Sequence, residues 1–301
     1  MENKETEEEN ISESEDLRGG TLFIVATPLG NIGDWTERAK QVLGRADIVA
    51  AEDTRLLKAA LAKIKIKPKK VISHHDHNEE ASTKALISDL LAGKDIALAS
   101  DAGTPLISDP GHRLVSAARA AQIRIVPIPG PSALAAALSV AALGGISTFF
   151  GGFLPTQCEV RKKYLRRHRN SAETLLFFEA PHRIREMLAD CETVLGGTTQ
   201  AVVCRELTKP YEEIFGGTIT QIRQKFNVEE PRGEFVLLFK SPPLEFLTQK
   251  ETQTEVEKLL RLGQSASNIL EELQPQTEVT RKQLYDMISS AKKSLDPDGV
   301  R

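Results

Sequence analysis

The sequence predicts an α/β protein of two domains followed by a small C-terminal helical appendage. Three observations predict it. Short apolar runs alternate with helical patterns through the first half, which calls for a mostly parallel sheet covered on both faces. Between residues 151 and 243 the strand signals crowd together, so some antiparallel pairing is expected there. After Ser241-Pro242-Pro243 the apolar spacing becomes purely helical.

The elements follow in order. Thr21–Ala26, Asp47–Ala51, Val71–Ser73, Asp95–Ser100 and Arg124–Pro127 read as five strands. Helices are expected from Trp35 to Leu43, Ser82 to Leu91 and Arg113 to Ala121. Ser132 is placed to cap an Ala-rich helix, which a strand follows. Gly151-Gly152-Phe153-Leu154-Pro155 reads as the crossing between domains. Beyond it come a basic helix (Arg161–Arg169), a strand (Thr174–Glu179) and a helix (Arg183–Val194). Strands at Ala201–Arg205, Glu212–Gly216 and Glu234–Lys240 complete the second domain. Glu255–Leu262, Ala266–Leu273 and Arg281–Lys292, the last capped by Thr280, form the appendage. The expected boundaries are an acidic tail at 1–18, domains at 19–150 and 151–243, and the appendage at 244–301.

Composition narrows the class. Hydrophobic residues make up 40% of the 301 and charged residues 27%, as in a soluble globular protein. Residues 1–16 hold eight acids and one base, a net −7, so the remaining chain carries +4 within the total of −3. So polar a stretch cannot offset its ordering entropy and is expected to be disordered. The mildly basic remainder permits a nucleic-acid partner without requiring one. Cys158, Cys191 and Cys204 form no CxxC pair, which argues against a disulfide framework or a cysteine zinc site and fits a reducing, cytoplasmic setting. The uncharged run Ala133–Phe153 is long enough to span a bilayer. It is mostly small residues broken at Gly144-Gly145, so a close-packed helix leading to a strand is the better reading, and no membrane association is expected. Neither GxxxxGK[ST] nor a GxGxxG after the first strand is present, which removes support for a P-loop or a common dinucleotide site.

Ligands of open α/β sheets collect outside the carboxyl ends of strands, and the turns there are rich in Gly, Pro, Asp, Ser and Thr. Taken singly, each could be no more than a tight turn. Together they carry a resemblance. Thr27-Pro28-Leu29-Gly30-Asn31, Ala51-Glu52-Asp53-Thr54-Arg55, His75-Asp76-His77-Asn78, Ser100-Asp101-Ala102-Gly103-Thr104-Pro105, Ser108-Asp109-Pro110-Gly111 and Pro129-Gly130-Pro131-Ser132 occur in order. Gly152-Phe153-Leu154-Pro155, Glu179-Ala180-Pro181-His182-Arg183, Arg205-Glu206-Leu207-Thr208-Lys209 and Arg232-Gly233-Glu234 follow. Over about residues 20–240 this order resembles the 16S ribosomal RNA (cytidine-2′-O)-methyltransferase branch of the tetrapyrrole methylase superfamily. The resemblance implies two α/β domains with S-adenosylmethionine held in the cleft between them, and a homodimer. It implies rRNA methylation of a decoding-region cytidine in the small ribosomal subunit. Carried over by residue, the cofactor site comprises Leu29, Asp101, Ala102, Gly103, Thr104, Ile107, Ser132 and Ala133. Phe178, Glu179, Glu206 and Leu207 join it from the second domain.

Methyl transfer from a sulfonium needs an aligned acceptor oxygen and a route for its proton. Glu52, Asp53, Asp76 and His77 are the candidate catalytic groups, with Glu179 and Glu206 behind them. Glu52 and Asp53 have a structural alternative, as a helix N-terminal cap or a pair with Arg55. His74-His75-Asp76-His77 could in principle hold a metal, but no matching distant cluster is visible, so no metal is expected. RNA requires positive charge along its path. Candidates are Arg55, Arg161, Lys162, Lys163, Arg166, Arg167, Arg183, Arg205 and Lys209, although the basic run could equally be a solvated helix face. Aromatic residues, at 5%, do not signal extensive base stacking. A porphyrinoid methylase and a non-enzymatic RNA-binding assembly factor are the rival readings.

Overall fold

A computed structural model describes residues 19–144, 147–169, 171–241 and 246–295. The acidic tail lies outside the described residues, as do Gly145, Pro242 and Pro243. The chain divides after Ser132 into two compact units, earlier than the crossing expected at Gly151.

The first unit runs β1 (Thr21–Val25), α1 (Glu37–Arg45), β2 (Ile48–Ala51), α2 (Thr54–Lys63), β3 (Val71–Ser73), α3 (Glu79–Leu91), β4 (Ile96–Ala99), α4 (His112–Ala120) and β5 (Arg124–Ile128). The five strands lie in the order β3-β2-β4-β1-β5, and every pairing is parallel. Apolar clusters pack on both faces: Val25, Val42, Leu43, Val49 and Leu61 on one, Leu22, Ile48, Leu86, Ile96 and Leu114 on the other. Covered on two sides, β2 and β4 are buried at every residue and cannot alternate polar with apolar. Because the strands are parallel, every strand delivers its following loop to the same edge.

The second unit runs α5 (Ala133–Ala141), β6 (Thr148–Phe153), α6 (Cys158–His168), β7 (Thr174–Glu179), α7 (Ile184–Leu195), β8 (Gln200–Arg205), β9 (Glu213–Thr218), α8 (Ile219–Val228) and β10 (Phe235–Lys240). Its sheet has the order β6-β7-β10-β8-β9. The β6–β7 pair is parallel and the other three pairs are antiparallel, the mixture expected from the crowded strand signals. Residues 148–153 belong here because β6 hydrogen-bonds to β7. α9 (Gln249–Arg261), α10 (Ala266–Leu273) and α11 (Arg281–Leu295) follow and pack Val256, Leu259, Ile269, Leu273, Leu284 and Ile288 into a core of their own. Thr280 does cap α11: its hydroxyl accepts from Gln283 N–H, while Gln283 Oε1 accepts from Thr280 N–H. The run Ala133–Phe153 resolves into the nine-residue α5 and then β6, and no helix among the described residues is long and apolar enough to cross a membrane.

Candidate functional site

Three loops of the first unit meet at the carboxyl edge of β4, β1 and β5. Thr27 and Gly103 exchange both backbone hydrogen bonds, at 2.8 and 3.0 Å, which joins the loop after β1 to the loop after β4. The Thr27 hydroxyl donates to Ser100 O and the Ser100 hydroxyl to Gly103 O, so the β4 loop is tied at both ends. Thr104 Oγ1 donates to Pro131 O at 3.0 Å and brings in the loop after β5. Gly103 adopts φ +84°, and a Cβ there would stand 3.2 Å from Leu29 Cδ2. Only a residue without a side chain reaches this conformation easily at so close an approach. Leu106 and Ser108 also take positive φ, a conformation uncommon outside glycine and often held at functional sites. The sequence candidates Leu29, Asp101, Ala102, Gly103, Thr104, Ile107 and Ser132 thus lie on the loops that converge here. Asp101 and Ala102 are exposed, and Leu29, Thr104, Ile107 and Ser132 are half-buried. Asp101 also lines a pocket of about 190 Å³ with Leu29, Trp35, Leu56 and Lys63.

The loop after β2 joins the same edge. Asp53 N–H donates to Asp101 Oδ1 at 3.0 Å, which holds Glu52 beside the convergence. Partial burial, with the charges of Asp101 and Asp76, raises the Glu52 pKa above its ordinary value. Asp109, on the loop before α4, is pushed up to about 6 by burial and by the Glu52 charge. Sequence reasoning assigns it no role, although a carboxylate in a Gly/Pro turn at a strand's carboxyl end is the signal that could have found it.

Asp53 itself departs from its expected catalytic role. It is the N-cap of α2, accepting from Arg55 and Leu56 N–H, and its carboxylate is gripped by the Arg55 guanidinium. The Arg55 hydrogen bonds hold it at about 2, too acidic to take a proton from a hydroxyl near neutrality. Arg55, engaged in that pair, is otherwise exposed. Asp76 and His77 are exposed at the turn into α3 and line a broad depression with Arg113. The neighbouring His74 is buried against the Ser82 hydroxyl, and burial lowers its pKa. Among the described residues no group of three His, Cys, Asp or Glu side chains is arranged for a metal.

In the second unit Glu179 ends β7 with its side chain buried. One oxygen accepts from Ala180 N–H at 2.9 Å and lies 3.3 Å from Arg183 Nε. The other is buried with no hydrogen-bond partner, and burial raises the pKa. Phe178 is half-buried and packs edge-on against Phe150 and Phe153. Glu206 takes φ +51°. Burial opposes its charge, yet the N–H of Glu234 and the Lys209 ammonium hold it below the ordinary range. Leu207 is buried. Ala133 opens α5.

The expected basic surface divides. Arg161 is a correction: it is 2% exposed, donates through Nε to Asp190 at 2.7 Å and through Nη1 to the carbonyls of Pro155 and Thr156. A buried guanidinium with its donors engaged is a structural group with no face for RNA. Lys162, Arg183, Arg205 and Lys209 are partly buried in ion pairs with Asp190, Glu179, Glu213 and Glu206. Lys163, Arg166 and Arg167 are exposed on α6.

Comparison with known proteins agrees with this arrangement. Residues 21–223 match the family model of the tetrapyrrole (corrin/porphyrin) methylases. A relative from Xylella fastidiosa named ribosomal RNA small subunit methyltransferase I is 48% identical over 221 residues, covering 73% of this chain and 81% of its own. A Synechocystis sp. relative of the same name is 40% identical over 271 residues, covering 89% and 97%. Among solved structures, the uroporphyrin-III C-methyltransferase of Thermus thermophilus shares the fold, with a TM-score of 0.54, 19% identity and coverage of 74% of this chain and 95% of that one. The chain belongs to the tetrapyrrole methylase family.

Proposed function

We propose that this chain is an S-adenosylmethionine-dependent methyltransferase acting on the 2′-hydroxyl of a cytidine in the decoding region of 16S ribosomal RNA, within the small ribosomal subunit. In this reading it works as a homodimer in the cytoplasm. The convergence of the Leu29, Gly103 and Ser132 loops is the observation that carries it, and the relatives' names give the RNA substrate class.

The loops fit a nucleoside-bearing sulfonium. Gly103 leaves open a place that a Cβ would fill against Leu29, and small residues let backbone groups approach a ligand closely. Leu29, Ala102, Gly103, Thr104, Ile107 and Ser132 would hold the cofactor, with Asp101 offering a carboxylate to its hydroxyl or amino groups. When bound, S-adenosylmethionine supplies a methyl group already activated for displacement. The chain's part is to orient the acceptor and take its proton. We assign the proton to Glu52, whose raised pKa moves it toward the range useful for a base. Asp76 and His77 line the approach, and Lys163, Arg166 and Arg167 attract phosphate. Glu179 and Glu206, turned onto backbone N–H groups, shape the Phe178 and Leu207 segments.

The test is a transfer assay with labelled S-adenosylmethionine, offering unmethylated small ribosomal subunits and, separately, a porphyrinoid precursor. Label recovered at a ribose 2′-oxygen of the subunit RNA is expected. Transfer to the porphyrinoid alone would replace the reading with the small-molecule one.

A further inference from the structure

We propose that the groove between α6 and α10 is a subsite for single-stranded RNA that takes a base together with its phosphates, so that the appendage helps select the substrate. The inference rests on the RNA reading above and adds a recognition site to it.

One wall comes from α6. Arg161 and Leu165 turn inward and are buried. Lys163, Arg166 and Arg167, spaced as neighbours on a helix surface, line the groove. The other wall is Gln264, just before α10, then Asn268, Glu271 and Glu272 at helical spacing along it, and Gln276 beyond. The space between is about 370 Å³, within the range of small-ligand pockets.

The polar groups here are unspent. Among the described residues, the side chains of Lys163, Arg166 and Arg167 make no hydrogen bond or ion pair, although two carboxylates line the same groove. That contrasts with Arg161 and Lys162 on the same helix, both paired with Asp190. Gln264 Oε1 is buried with no partner, an unusual state for a polar atom. Gln276 alone is committed, donating to Glu272 O at 2.7 Å.

The mixture of charges selects the ligand. Three cations suit phosphates, but Glu271 and Glu272 would repel a plain polyanion, an acidic peptide or an anionic lipid surface. A nucleotide satisfies both walls. Its phosphate meets the cations, its exocyclic amine donates to a carboxylate, and its base edge matches the paired donor and acceptor of Asn268 and Gln264. Base edges are free for such contacts in single-stranded RNA.

Two variants separate the walls. Arg166→Ala with Arg167→Ala should weaken binding of a labelled single-stranded RNA of mixed sequence and flatten its salt dependence, by about 0.7 in log–log slope for each phosphate no longer neutralised. Asn268→Ala, joined by Gln264→Ala, should raise KM for small ribosomal subunits about tenfold, the worth of one good base contact. In that pair the salt slope, kcat and affinity for S-adenosylmethionine should stay at wild-type values. Wild-type protein photocrosslinked to thiouridine-bearing RNA should yield adducts on the peptide spanning α10, a reading that needs no variant to fold. If the wild type methylates subunits while both variants bind and react like it, the groove proposal falls and the RNA reading stands. If the wild type does not modify subunit RNA, both fall.

Discussion

Replacing Arg161 with Met separates a structural arginine from an RNA contact. Its guanidinium lies 2.6–2.7 Å from Asp190 Oδ2 and serves the carbonyls of Pro155 and Thr156, while the Asp190 side chain is 8% exposed. Methionine fills similar volume but leaves Asp190 Oδ2 without its guanidinium, while the other oxygen keeps only the Cys158 thiol, at 3.4 Å, and Lys162 Nζ, at 3.5 Å. Removing one partner of a buried pair costs about 3–5 kcal/mol. For a unit of this size that lowers the thermal midpoint by roughly 6–20 °C. Scanning calorimetry of the full chain should show the loss in the transition of the second unit. Asp190→Leu added to Arg161→Met should restore part of it, because no buried carboxylate is then left without its guanidinium, and Lys162 keeps Glu159. Below its midpoint the single variant should bind RNA as the wild type does. A variant that keeps its midpoint but loses RNA affinity would refute the assignment and return Arg161 to the RNA-contacting surface.

Glu52→Gln should lower kcat by about 10²–10⁴, the usual worth of a positioned base, and remove the acid limb of the pH–rate profile while leaving cofactor affinity near wild type; an unchanged profile would exclude Glu52. Asp101→Ala should weaken S-adenosylmethionine binding about tenfold or more in calorimetry, as loss of a hydrogen bond to a charged group does; undiminished affinity would remove Asp101 from the site. Gly103→Val should destabilise the first unit by roughly 1–3 kcal/mol, since a branched side chain at φ +84° is strained; denaturant unfolding measures it. For Asp109 the folded pKa of about 6 lies above its ordinary value, so the folded state holds the proton more tightly than the unfolded one. Its contribution is therefore fully present below the unfolded value and lost as pH rises through about 6. Asp109→Asn should make stability flatter with pH across that window, and an unaltered dependence would count against the assignment.

What the sequence revealed follows from which physics is local. The loops at Leu29, Asp101 and Ser132 were legible because turns need Gly, Pro and Asp at fixed places. The parallel order of the first sheet followed from alternation of strand and helix. Two helices escaped. α2 begins within the AEDTR motif, where Asp53 caps it, and α8 begins at a Thr218–Gln221 capping box, whose two residues stand at the right spacing in the sequence. A second capping box, Thr248 with Glu251, starts α9 at Gln249, ahead of the Glu255 expected from apolar spacing. Charge was harder to read than turns. Arg161 looks like any member of a basic run, but it stands one helical turn before Leu165 and shares that residue's inward face. The information lay in that phase relation, and its meaning depended on Asp190, 29 residues away.

The Asp53–Asp101 hydrogen bond belongs to the same class of fact. No spacing rule connects the loop after β2 to the loop after β4, but β2 and β4 are adjacent and parallel, so both loops leave the same edge side by side. Asp101 can then anchor the backbone of Asp53 and hold Glu52 where partial burial, with the charges of Asp101 and Asp76, raises its pKa. The proposed proton acceptor and the carboxylate proposed to face the cofactor are set side by side by strand order. That is why Asp101→Ala should disturb the Glu52 limb of the pH–rate profile as well as cofactor affinity, and why Asp101→Asn, whose amide oxygen can still accept from Asp53 N–H, should retain more of that positioning while lowering the Glu52 pKa.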